Sequence, residues 1–175
     1  WNFNEGEGTT ITDLSGNGNH GTIYGATWST NVPFQPQTRA ELQAAVDLWE
    51  SDNSTALSTY GEINYWDVSL ITDMSNLFSE KSNFNGDISN WDVSNVTDMN
   101  GMFFEASSFS GDLSSWDVSN VTNMSNLFMR ANQFSADLSN WNVSQVVAMS
   151  QMFRDAPNFN ADISNWDVSS ATEIW

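Results

Sequence analysis

The chain has 175 residues, with 22 acidic and 4 basic side chains, a formal charge of −18 and no cysteine. That charge repels nucleic acid and anionic membrane surfaces and favours cations and basic partners, and without cysteine there can be neither disulfides nor thiolate metal sites. No apolar run reaches the roughly 20 residues of a membrane span, and the start at Trp1, with no charged stretch leading into an apolar one, points to any signal peptide having been removed or lying outside this sequence.

Residues 1–34 are rich in Gly, Asn and Thr, with Trp1 and Phe3 alternating and Ile23 and Trp28 further on, a pattern that predicts short strands joined by tight turns. Asp13, Asn17 and Asn19 offer oxygen ligands for calcium, although Ser-Gly-Asn-Gly-Asn is equally a turn sequence. His20, the single histidine, sits in that turn with no Ser or Cys motif beside it, which gives a catalytic triad no support. The text WNFNEGEGTTITDLSGNGNHGTIYGATW is similar to the opening strands of laminin-G-like, concanavalin-type jelly rolls. A fragment this short would hold only the first hairpin or two of such a domain and brings no carbohydrate site with it.

Residues 35–62 predict an N-terminal cap. Thr38-Arg39-Ala40-Glu41 fits a capping box just after Pro36, and Leu42, Val46 and Trp49 recur at i, i+4 and i+7. A helix over 39–50 follows, ending at Ser51-Asp52-Asn53, with its apolar stripe over the open edge of whatever comes next.

From residue 63 onward the chain is periodic. Trp66, Trp91, Trp116, Trp141 and Trp166 are each 25 residues apart, in WDVS or WNVS. Ile63, Ile88, Leu113, Leu138 and Ile163 precede them, and Val68, Val93, Val118, Val143 and Val168 follow. Further columns hold Met74, Met99, Met124 and Met149, then Phe78, Phe103, Phe128 and Phe153, then Phe84, Phe109, Phe134 and Phe159. One unit cannot bury these alone, but stacked units turn each column into a continuous ladder. The expected fold class is an α/β repeat solenoid over 63–175, with Ile-x-x-Trp-Asp-Val as a strand of a narrow parallel sheet and 72–78 as one or two helical turns. The unit FNGDISNWDVSNVTDMNGMF at 84–103 resembles the BspA-like leucine-rich-repeat surface proteins of bacteria and some protists. That resemblance implies leucine-rich-repeat-like coils on a secreted or surface-anchored protein tied to adhesion, with no catalytic residues.

Acidic rows accompany the core. Asp67, Asp92, Asp117 and Asp167, with Asn142 interrupting, should stand outward with neighbours about 4.8 Å apart. Repulsion between them would be relieved either by calcium or by hydration and the adjacent Ser row. Asp87, Asp112, Asp137 and Asp162 read as turn-fixing residues. A glycosidase needs one unequal carboxylate pair in one pocket, whereas these rows repeat the same residues, so no enzyme is expected. Sequons at Asn53, Asn95, Asn120, Asn123 and Asn142 are built into the sequence. The chain reaches Ile174 and Trp175 midway through a unit, which points either to head-to-tail self-association, with Trp1, Phe3, Ile23 and Trp28 or the capping face of a second copy completing the open edge, or to a chain cut from a longer repeat array. The expectation is an extracellular structural and adhesive scaffold, extending into a filament or surface array, with itself as partner and no required cofactor. The alternative is a module that binds a host or matrix protein or a glycan.

Overall fold

The computed structural model describes residues 10–11, 17, 19–22 and 32–174. Contacts divide the chain into two units, Trp1–Val32 and Pro33–Trp175. In the first, β1 (Thr10–Ile11) pairs antiparallel with β2 (Gly21–Thr22), with Thr10 opposite Thr22. Trp1, Phe3, Asp13, Ile23, Trp28 and Trp175 lie outside the described residues.

The second unit opens with α1 (Arg39–Ser51). The Thr38 hydroxyl accepts from the Glu41 N–H at 3.2 Å, while the Glu41 carboxylate reaches back to the N–H of Gln37 at 2.7 Å, one residue before the position a capping box prescribes. Leu42, Ala45 and Val46 are fully buried, and Trp49 is partly so. A second helix, α2 (Asn53–Tyr60), was not foreseen. Its signal was Asp52, whose carboxylate takes the Thr55 N–H at 3.0 Å and the Thr55 hydroxyl at 2.6 Å. Gly61, at φ 72°, ends it.

The repeats correct the expected fold class: this is not an α/β solenoid. From residue 66 to 174 there is no helix and no strand, and the β1–β2 pair is the sheet found among the described residues. After a short 3-10 turn at Ile63–Tyr65, the coils are built from successive three-residue turns, such as Ile71 N–H to Val68 O, Phe84 N–H to Lys81 O and Trp91 N–H to Ile88 O. Parallel pairing does occur, but as isolated bridges in the row Asp73, Asp98, Asn123, Ala148 and Glu173, within the stretch expected to be helical. The Trp-Asp-Val segment, expected as strand, lies between turns.

Backbone geometry explains the difference. Asn76 and Glu80 have φ of 57° and 63°, and their counterparts Gly101, Glu105, Asn126, Arg130, Gln151 and Asp155 repeat the left-handed conformation. A helix cannot pass such positions. The N–H groups of Met74, Asn76, Phe78 and Glu80 instead donate to Asp98, Asn100, Met102 and Phe104 of the next coil, while those of Leu77, Ser79 and Lys81 close turns within their own. The next coil repeats this alternation, from Met99 to Asn123 and Phe103 to Leu127. Every second donor is thereby committed 24 residues away, and the remainder are satisfied locally.

Side chains follow the same register. Phe78, Phe103, Phe128 and Phe153 stack at centroid spacings of 5.4, 5.5 and 5.8 Å, and Phe84, Phe109, Phe134 and Phe159 at 5.7, 6.0 and 6.1 Å. Within a coil the two ladders touch, Phe103 to Phe109 at 4.2 Å. Trp66, Trp91, Trp116 and Trp141 are buried and Trp166 partly so, and the later indole N–H groups donate to a carbonyl of the coil before: Trp91 to Ile63, Trp116 to Ile88, Trp141 to Leu113 and Trp166 to Leu138. Indole burial therefore costs no hydrogen bond.

Two stability outcomes follow. Trp116→Phe removes one of the two donors to the Ile88 carbonyl, which keeps the Trp91 N–H, and should cost about 0.5–1.5 kcal/mol for the lost bond in a denaturant titration, against about 3–5 kcal/mol for Phe103→Ala. Gly101→Ala places a Cβ 2.5 Å from Asn76 Oδ1 at φ +58°, and should lower the melting temperature more than an alanine at exposed Ser108.

Candidate functional site

The surface rows are fixed by local chemistry. Asp67 Oδ1 accepts from both the N–H and hydroxyl of Ser69, at 3.1 and 2.6 Å, and Gln35 Nε2 donates to its other oxygen at 2.6 Å. Asp92 holds Ser94 in the same way, and Asn142 holds Ser144. Asp117 and Asp167 accept from the N–H of Ser119 and Ser169. Hydrogen bonds from these serines keep the carboxyls of Asp67, Asp117 and Asp167 below their ordinary value. In the second row, the backbone N–H of Ser89, Ser114, Ser139 and Ser164, aided by their hydroxyls, lowers Asp87, Asp112, Asp137 and Asp162. Each acid is an Asx-type turn fastener. Among the described residues no group of three or more His, Cys, Asp or Glu comes together as metal ligands; Asn17 and Asn19 are exposed.

Between the coils these rows line shallow polar hollows. One, of about 400 Å³, is bounded by Ser110, Asp112, Ser114, Asp137 and Asn140. Another, of about 500 Å³, lies one coil on, among Ser135, Asp137, Ser139, Asp162 and Asn165. The same groove thus recurs with the period of the sequence.

An apolar concavity lies elsewhere. Met149, Met152, Phe153, Ile163, Trp166, Val168 and Ile174 line a concavity of about 650 Å³ on the outer face of the last coil, with Gln151 and Arg154 beside them. Val168 is 40% exposed and Ile174 58%, whereas Val143, one coil earlier, is 1% exposed. Of the residues expected to drive self-association, Ile174 lies in this face. The sequence reading missed the rest of its lining, although the period marks those columns.

Each basic side chain reaches a carboxylate: Arg39 pairs with Asp73, Lys81 with Asp47, Arg130 with Glu105 and Asp155, and Arg154 with Asp155. Arg130 lies 2.5 Å from Glu105 and 3.7 Å from Asp155, tying its coil to the ones before and after.

A family model described as "Mycoplasma protein of unknown function, DUF285" matches residues 47–166. The chain belongs to the DUF285 family. No curated protein and no solved structure matches it. The DUF285 segment runs from the end of α1 to Trp166 and so contains the Phe ladders, the Asp87 row and all five repeat tryptophans.

The lowered carboxyl values of this DUF285 chain set the sign of its acid response. Carboxylates stabilised in the fold contribute above their unfolded pKa, near 3.9, and that contribution is lost as pH falls through the folded values. The melting temperature should hold from pH 7 to about 5 and drop below about 4. The triple variant Asp67→Asn, Asp117→Asn, Asp167→Asn keeps the turns, as Asn142 already does, and should show a shallower acid slope in thermal scans; an unchanged slope contradicts the assignment.

Proposed function

We propose that the chain is a non-catalytic structural and adhesive scaffold of the cell exterior, one that associates head to tail through the apolar face of its last coil. The observation that carries this reading is how coils join within the chain: each meets the next through stacked Phe rings and alternate backbone N–H groups, as Phe103 lies 5.5 Å from Phe128 and donates to Leu127 O, so a coil of one copy offers another the contacts it makes in its own stack. Phe153, Trp166, Val168 and Ile174 present those same ladder columns in an apolar concavity. Contacts of this head-to-tail kind extend into filaments unless they close into rings. The resemblance to BspA-like leucine-rich-repeat surface proteins supports an extracellular setting and adhesion. The laminin-G-like text of residues 1–34 supplies apolar residues, Trp1, Phe3, Ile23 and Trp28, that would join the capping end in meeting the last coil of the next copy.

A second reading is a recognition module for a protein or glycan. The polar hollows around Asp112, Asp137 and Asp162, repeating one coil apart, favour it. No calcium requirement is built into either reading.

Sedimentation velocity over a hundredfold concentration range separates the two. The scaffold reading expects species larger than one chain, lost in Val168→Asp with the melting temperature held within a few degrees, and fibres in electron micrographs. A monomer at every concentration that nonetheless binds immobilised glycans or matrix proteins would replace it with the recognition reading.

A further inference from the structure

The end of the coil stack next to the helices is closed in a different way from any junction within it. In every later junction the carbonyls at one set of positions receive backbone N–H groups of the coil before: Asn100 O from Asn76, Met102 O from Phe78, Ser125 O from Gly101 and Leu127 O from Phe103. Their counterparts in the first coil are Ser75 O and Leu77 O. These receive side chains of α1, Arg39 Nη2 on Ser75 O and Gln43 Nε2 on Leu77 O, the latter at 3.2 Å. Trp66 Nε1 likewise donates to Gly61 O, where later indoles reach the carbonyl of a repeat residue. Residues 38–62, the segment holding α1 and α2, occupy the one period that precedes Ile63. The helices therefore stand in the place of a coil and imitate its donors with side chains.

The imitation is incomplete. Between coils the Phe rings stack on rings of their own kind, whereas α1 offers Leu42, Ala45 and Val46, and its Trp49 meets Trp66 edge-on at 5.8 Å. What α1 lacks in ring stacking it replaces with charge. Lys81, only 16% exposed, holds Asp47 at 2.6 Å, Gln43 supports the same carboxylate at 2.9 Å, and Arg39 lies 3.9 Å from Asp73. Two of the chain's 4 bases are committed to this junction. Junctions between coils rest mainly on backbone ladders and stacked rings, which salt does not screen, with Arg130 adding ion pairs at the two junctions beside it; the α1 junction takes side-chain donors in place of that ladder and so rests in larger part on ion pairs, which salt does screen.

Building on the self-association reading above, we propose that α1 is a releasable lid, latched by Arg39, Gln43 and Lys81, and that the first-coil face beneath it is the surface on which a coil of a second copy docks. A coil of this repeat is the occupant that fits, because the Ser75 and Leu77 carbonyls belong to a row that takes N–H groups from such a coil at every later junction. Opening the lid is local unfolding of an element whose protection lies below that of the core. Its closed state restrains association by occupying the Ser75 and Leu77 carbonyls and by holding Trp49 on Trp66, which Phe34 and Tyr60 cover from beside it.

Hydrogen exchange of the whole chain, followed by mass spectrometry at low salt and in 1 M NaCl, tests the lid. Amides of 42–50 should exchange at least tenfold faster than those of 99–128, and faster still at high salt. Arg39→Ala with Gln43→Ala should accelerate 42–50 alone. Lys81→Met, which keeps most of the side chain's apolar packing, is the second variant should that pair fail to fold. Sedimentation velocity on the same variants should show association at concentrations several-fold below wild type, with 42–50 unprotected in the associated fraction. Salt-insensitive exchange of 42–50 at the core rate overturns the lid. Association that is unchanged by the latch variants but abolished by Val168→Asp leaves self-association standing and overturns the docking surface. A monomer throughout removes both.

Discussion

Stacking in register at a 25-residue period is the constraint from which the rest of the unit follows. Phe103 is buried because Phe78 lies below it and Phe128 above, 5.4 and 5.5 Å away, and the Trp116 indole is satisfied because Ile88 O arrives at the right height. Backbone and side chain obey the same rule, since alternate N–H groups also find their acceptors in the adjacent coil. A slip of one residue would break rings, indole bonds and backbone ladder together, which is why each column keeps its chemistry. The acids belong to the same device. Aspartates at the corners fasten turns through the Ser two residues on, so a charge of −18 coexists with tightly wound coils.

The two ends of the stack are unequal. At one, helices stand in for a coil with side-chain donors and ion pairs; at the other, a face of Phe153, Trp166, Val168 and Ile174 carries the core ladders outward. Along the stack, by contrast, the surface chemistry repeats. Here neighbouring rows repeat the same Asp–Ser pair, and the shifts resolved along the two outward Asp rows run in one direction.

Membership in DUF285 ties this architecture to a family defined by its sequence and not by an activity. The physical description therefore stands ahead of any functional label. A wall of stacked rings and turn-fastened corners presents two similar polar hollows one coil apart, and an apolar concavity at the last coil.

By itself the sequence determined the period, the ladder columns, the burial of the tryptophans and the α1 capping helix, because each depends on spacing or on a cap read within a few residues: Thr38 with Glu41, or Trp91 with Trp116. It also held the cue for α2 in Asp52, which went unread. Only the tertiary structure decided that the coils are wound from turns instead of strand and helix. Met74, Leu77 and Phe78 have helical spacing, but the N–H groups of Met74 and Phe78 are taken by carbonyls 24 residues ahead, and Asn76 is held left-handed between them. Local propensity cannot see a hydrogen-bond partner in the next coil, and that partner is what sets the backbone.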